Sequence, residues 1–178
     1  AGLGDLVTNT TIRHLVLRAM SPDALTRILS VPAAQALTGL TVYPDASDPG
    51  AGDALVRALS ASKVMANLEH LELFCNATVT GLSALKAAPG RLSALVGPAL
   101  FGSAQDISGL VQCNWFRELR EAQLRSADRS LQRHLLVALA NLPHLEAFNI
   151  QLMYSTATFM AFRAAGGFPE LARLEISG

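Results

Sequence analysis

The chain has 178 residues, enough for one domain with a continuous apolar core. Half of it is apolar but only 6% is aromatic, so that core is expected to be aliphatic and alanine-filled. Lys plus Arg and Asp plus Glu balance at 14 each, which excludes the broad basic footprint of a nucleic-acid or membrane-surface binder while leaving room for a local patch. Two cysteines, Cys75 and Cys113, cannot build a disulfide framework and have no CxxC spacing; they read as free thiols in packed positions. No apolar run reaches the roughly 18 residues of a membrane span and no signal peptide stands at the start, so a cytoplasmic location without membrane insertion is expected. The chain opens at Ala1 rather than a methionine, and more native sequence is expected before it.

In chain order, "AGLGDLV" reads as the tail of a preceding unit, and "IRHLVL" then places Ile12, Leu15 and Leu17 in an approach and a short strand. "SPDALTRILS" is a helix with Ser21 as N-cap, Pro22 in the first turn and Leu25, Ile28 and Leu29 on one face. "LTGLTV" repeats the strand with Leu37, Leu40 and Val42, and "GDALVRALSA" repeats the helix, with Asp53 at its N-cap and Leu55, Val56 and Leu59 inward. "LEHLEL" (Leu68, Leu71, Leu73) is followed by Asn76; "LSALVG" keeps Leu92 and Leu95 but has Gly97 in the third slot. "LREAQL" gives Leu119, Ala122 and Leu124, and "SADRSLQRHLLVALAN" a helix with Leu131, Leu135 and Leu139 at four-residue steps, closing at Asn141. "LEAFNI" (Leu145, Phe148, Ile150), a helix over "STATFMAFRAAGG" with Phe159, Met160 and Phe162, and "LARLEI" (Leu171, Leu174, Ile176) finish the series.

The first anchors, at 12, 37, 68, 92, 119, 145 and 171, are 25, 31, 24, 27, 26 and 26 residues apart. Such a fixed period marks stacked strand-and-helix units, each too small to bury its apolar face alone. Phe116, Leu142 and Phe168 precede the last three anchors at the same offset, and Pro143 and Pro169 follow two of them. With L-x-x-L-x-L in nearly every unit and N in the following slot at Asn76, the chain resembles the leucine-rich-repeat family, of the ribonuclease-inhibitor-like or cysteine-containing type. The resemblance implies an α/β leucine-rich-repeat solenoid, a curved horseshoe of about seven repeats with a parallel β-sheet on the concave face and helices on the convex face. It further implies that Asn76 hydrogen-bonds the bend backbone of neighbouring units. The other units carry Met20, Asp45, Leu100, Ala127 and Met153 in that slot, so their bend amides are expected to find other partners. One domain over residues 1–178 is expected, cut from a longer array or multidomain protein, because both ends lack the polar caps that solenoids require.

A second resemblance competes for one loop. Gly50-Ala51-Gly52-Asp53 is similar to the G-A-G-D signature of ribokinase-like sugar kinases, in which a helix start holds developing negative charge. Ser47 stands where that pattern needs an Asp and the flanking residues are repeat units, so a lengthened strand-to-helix loop is the preferred reading. It also accounts for the 31-residue spacing.

Residues between the core leucines project onto the opposite face of the strands. They form three columns: His14, Gly39, His70, Ala94, Glu121, Ala147, Arg173; then Val16, Thr41, Glu72, Val96, Gln123, Asn149, Glu175; then Arg18, Tyr43, Phe74, Pro98, Arg125, Gln151, Ser177. Aromatic residues and arginine are enriched in binding hot spots, so the candidate partner-binding residues are Arg18, Tyr43, His70, Glu72, Phe74, Gln123, Arg125 and Asn149. The alternatives are that Tyr43 and Phe74 pack into the following bends and that Glu72, Glu121 and Arg125 form a solvated face. His14 and His70 face one another if the unit between them is short, but without a carboxylate they make no metal site. No catalytic motif is found and no cofactor or metal is expected. The expected function is a non-catalytic module that binds another protein, and not nucleic acid, on the concave face. The alternative is a sensor or regulatory segment of a larger signalling protein, such as an NLR-like receptor or an F-box-type ubiquitin-ligase adaptor.

Overall fold

The computed structural model describes residues 12–48, 50–87, 91–151 and 172–177, in which strands and helices alternate on one open, parallel sheet. Strand β1 (His14–Met20) leads to helix α1 (Pro22–Leu29), and β2 (Gly39–Pro44) to α2 (Gly52–Ala61). Strand β3 (His70–Leu73) is followed by a second short strand, β4 (Asn76–Thr78), and α3 (Val79–Ser83). Then come β5 (Ala94–Phe101), α4 (Asp106–Val111), α5 (Asn114–Arg117), β6 (Glu121–Arg125), α6 (Arg129–Ala140), β7 (Ala147–Gln151) and β8 (Arg173–Ser177). The strands lie in the order β1-β2-β3-β5-β6-β7-β8, with β4 beside β5. "AGLGDLV", the helix over "STATFMAFRAAGG", the Met153 slot and the Leu171 anchor lie outside the described residues.

The leucine spacing works because one side of every strand is core. Leu37, Leu68, Leu92, Leu119 and Leu145 are buried at the first anchor, and Leu40, Leu71, Leu95, Ala122 and Phe148 at the second. Each buried leucine contributes about 1.5–3 kcal/mol by leaving water. Ile12, just before the first strand, and Leu15, on it, are only partly buried. Behind the sheet α1 packs on α2, α3 on α4, and α4 on α6, so successive helices share one apolar cluster with the leucines.

The residue after each anchor sets the register. The Arg13 carbonyl accepts from the amides of both Thr38 (2.8 Å) and Gly39 (2.9 Å), and the Thr38 carbonyl in turn accepts from Glu69 (2.8 Å) and His70 (3.0 Å). The same fork recurs from Glu69 to Ser93 and Ala94, from Ser93 to Arg120 and Glu121, from Arg120 to Glu146 and Ala147, and from Glu146 to Ala172 and Arg173. It aligns His14, Gly39, His70, Ala94, Glu121, Ala147 and Arg173 in one row, and the residues two further on, as far as Glu175, in the next. The third row departs from expectation at two bulges. Ala19 has φ 54° and Met20 pairs with Pro44; Gly97 has φ 98°, and Ala99 rather than Pro98 pairs with Arg125. Gly97 is the residue that made "LSALVG" the poorest match to the leucine pattern, and the positive φ is why a side chain is disfavoured there.

Two local expectations are corrected. Ser21 caps α1, accepting from the Ala24 amide at 3.3 Å, but Asp53 does not cap α2, whose N-cap is Ala51. Asp53 lies in the first turn of that helix and reaches into the next unit, accepting from the Thr78 amide (2.7 Å) and hydroxyl (2.8 Å). Thr78 caps α3 by accepting from the Gly81 amide at 2.8 Å, so Asp53 orders a neighbour's helix start instead of its own. Asn76 is the second correction: it is an exposed residue of β4, with no side-chain hydrogen bond among the described residues. The bend there is held by main-chain bonds, from Phe74 to the Val42 carbonyl and from Ala99 to the Cys75 carbonyl, both 3.0 Å.

The G-A-G-D stretch is accounted for by the same close stacking. A Cβ on Gly52 would run into the main-chain carbonyl of Asn76, whereas a Cβ on Gly50 would meet nothing nearer than Asp48 Oδ1 at 3.6 Å. Gly52→Ala is expected to lower the unfolding free energy by about 1–3 kcal/mol, because backbone must move. Gly50→Ala is expected to change it by less than about 0.5 kcal/mol; urea denaturation of the two variants checks the contrast.

Candidate functional site

The sheet face opposite the helices brings together residues far apart in sequence. In the third row the Tyr43 and Phe74 rings stack with centroids 4.6 Å apart and planes 5° from parallel. The Arg18 guanidinium carbon sits 4.5 Å from the Tyr43 centroid on the strand beyond. Such a cation–ring contact is worth about 0.5–1 kcal/mol at an exposed site. Phe74 leans over Gly97, where a Cβ would approach its ring to 3.1 Å. The three residues, with Gly97 as seat, thus form one continuous stack across β1, β2, β3 and β5. Tyr43 and Phe74 remain half-buried and Arg18 exposed, so the stack presents ring edges and a guanidinium to solvent.

The first two rows hold a hydrogen-bonded network that the sequence reading missed. Gly39 has no side chain, so the rings of His14 and His70 lean together above it, 6.1 Å apart and tilted by 44°. Thr41 donates its hydroxyl to Glu72 Oε2 at 3.0 Å, and His70 Nε2 lies 3.1 Å from Glu72 Oε1. Because the only Thr41 hydroxyl proton points at Glu72, the bond from His14 Nε2 to Thr41 Oγ1 (2.9 Å) runs from imidazole to hydroxyl. Both imidazoles therefore carry a proton on Nε2, and Glu72 is the acceptor where the two arms end. Burial pushes the Glu72 carboxyl up, but hydrogen bonds from His70 and Thr41 and the nearby imidazoles outweigh it and hold the group below its ordinary value. The expectation that the two histidines lack carboxylate support is thus corrected: Glu72, on the strand of His70, supplies it. The signal was present in "HLE", since a spacing of two puts both side chains on one face of a strand.

On the other half of the face, Arg173 reaches past Ala147 to Glu121 at 3.0 Å. The first row therefore alternates large and small residues, and Ala147 leaves room for the Arg173–Glu121 bridge across it. Gln123 and Asn149 stand opposite one another in the second row, on β6 and β7. Arg125 lies in the third row, with its Nε enclosed and without an acceptor among the described residues. Of the eight candidate residues, Arg18, Tyr43 and Phe74 form one cluster and His70 and Glu72 another, while Gln123, Arg125 and Asn149 lie on the far strands.

Both cysteines are free. Burial, reinforced by the Asp53 charge, pushes the Cys75 thiol up to about 12, and burial also raises Cys113, so neither thiol is primed as a nucleophile. Among the described residues no group of three or more His, Cys, Asp or Glu could hold a metal ion, and no helix is long and apolar enough to cross a membrane. The chain matches no protein-family model and no curated protein sequence.

A carboxyl held below its ordinary value stabilises the fold when ionised, and that stability is lost as pH falls through its folded value. The unfolding free energy of the wild type is therefore expected to drop on acidification through and below the usual carboxylate range. Glu72→Gln removes this part of the profile, leaving a shallower acid limb; chemical denaturation at a series of pH values measures it.

Proposed function

We propose that the chain is a divergent leucine-rich-repeat solenoid and a non-catalytic module that binds another protein on the concave, strand-lined face. The parallel strands in chain order, the period of about 26 residues and the buried leucine anchors support the solenoid reading. The observation that carries the binding reading is the Arg18–Tyr43–Phe74 stack. Aromatic and arginine side chains fixed on a rigid sheet lose little entropy when a partner arrives, which is what makes such residues effective anchors. A half-buried stack on the sheet face is also costly to keep wet on the side away from the core, and a partner relieves that cost.

Tyr43→Ser with Phe74→Ser removes the stack without touching a leucine anchor. Proteins retained from native lysate by the immobilised wild type are expected to be lost by this double variant, while its far-UV circular dichroism is unchanged. Quantitative mass spectrometry of the two eluates decides: an identical set of retained proteins from both would contradict the assignment of this face.

A further inference from the structure

In the first two rows of the sheet face the carboxylates of Glu72 and Glu121 are engaged by neighbouring side chains, whereas the arginines of the third row are not. Glu72 is engaged by Thr41 and His70, and Glu121 by Arg173. The third row, from Arg18 through Tyr43, Phe74, Ala99 and Arg125 to Gln151 and Ser177, contains two arginines and no acidic residue. Neither Arg18 nor Arg125 has a carboxylate partner among the described residues. Asp45, two residues beyond Tyr43 in the chain, is tied to the amide and hydroxyl of Ser47.

The geometry adds direction to the charge. The Arg18 guanidinium is held over the Tyr43 ring, and none of its N–H groups is engaged by a carboxylate among the described residues, so they are free to grip one from a partner. The faces of Tyr43 are already covered by Arg18 and Phe74, so a partner meets the ring edges, which carry the positive rim of the aromatic quadrupole and favour oxygen acceptors. Arg18 and Arg125 are separated by four strand steps, β1 to β2 to β3 to β5 to β6. At about 4.8 Å per step this is on the order of 19 Å, a distance that an extended chain covers in about six residues.

From this we infer that the third row takes an acidic, extended peptide segment running across the strands, with two carboxylates about six residues apart, one on Arg18 and one on Arg125. The inference rests on the reading of this face as the partner-binding surface and adds the chemical class of the partner.

The test uses a phage-displayed library of random 12-residue peptides, selected on the immobilised wild-type chain and counter-selected on the Tyr43→Ser, Phe74→Ser variant. The expected consensus carries two Asp or Glu positions five to seven residues apart. As a fluorescein-labelled synthetic peptide, it should lose about tenfold in affinity on Arg18→Gln and again on Arg125→Gln, with both variants still folding cooperatively and Arg18→Gln losing no more stability than the ring contact supplies. A neutral or basic consensus that still depends on Tyr43 and Phe74 would overturn the acidic assignment and leave the face itself standing. An acidic consensus whose affinity is unchanged in both arginine variants would overturn it too. No enrichment over counter-selection would overturn it together with the use of this face for peptides.

Discussion

One main-chain carbonyl accepting two successive amides from the next strand, repeated six times along the sheet, holds the rest of the molecule in place. The acceptors belong to Arg13, Thr38, Glu69, Ser93, Arg120 and Glu146, residues with no side-chain chemistry in common. Each fork is worth only about 1 kcal/mol per hydrogen bond net of solvation. Its greater effect is on register, because a slip of one residue would turn every leucine to the solvent and every face residue to the core. Burial of the anchors supplies the energy; the forks decide where each strand starts.

Close stacking then explains where small residues must sit. Gly39 makes room for the His14 imidazole, Gly52 for the Asn76 carbonyl, and Gly97 for the Phe74 ring. In each case the glycine belongs to one unit and the group it admits to another. The stretch that resembles a sugar-kinase glycine turn is thereby a contact between units, with its Asp committed to Thr78 of the next one. The same logic produces the Arg18–Tyr43–Phe74 stack, in which residues from three successive units form a single surface because the rows below them are fixed.

Strand positions, helix faces and the first two rows were legible in the sequence because each follows from apolar spacing, and the core is unforgiving about spacing. The stacking of Tyr43 on Phe74 was legible as proximity, for the same reason. The third row was misaligned beyond Phe74, since a bulge at Gly97 obeys main-chain geometry that leucine spacing does not report. The bonds of Asp53 to Thr78 and of Glu72 to Thr41 were illegible for another reason: they join side chains of different units, and depend on orientation as well as position. Asn76 misled because a slot in a motif was read as a role, while the backbone already satisfied the bend.

Arg18, Tyr43 and Phe74 are 25 and 31 residues apart in sequence, and only the stacked register brings them together. The most direct measurement is a carbon-edited nuclear Overhauser spectrum of the assigned chain in solution. Cross-peaks between the Tyr43 and Phe74 ring protons, with the Arg18 side-chain protons shifted upfield by the Tyr43 ring, are the result predicted. Assigned rings without such cross-peaks, and Arg18 resonances at random-coil positions, would contradict it.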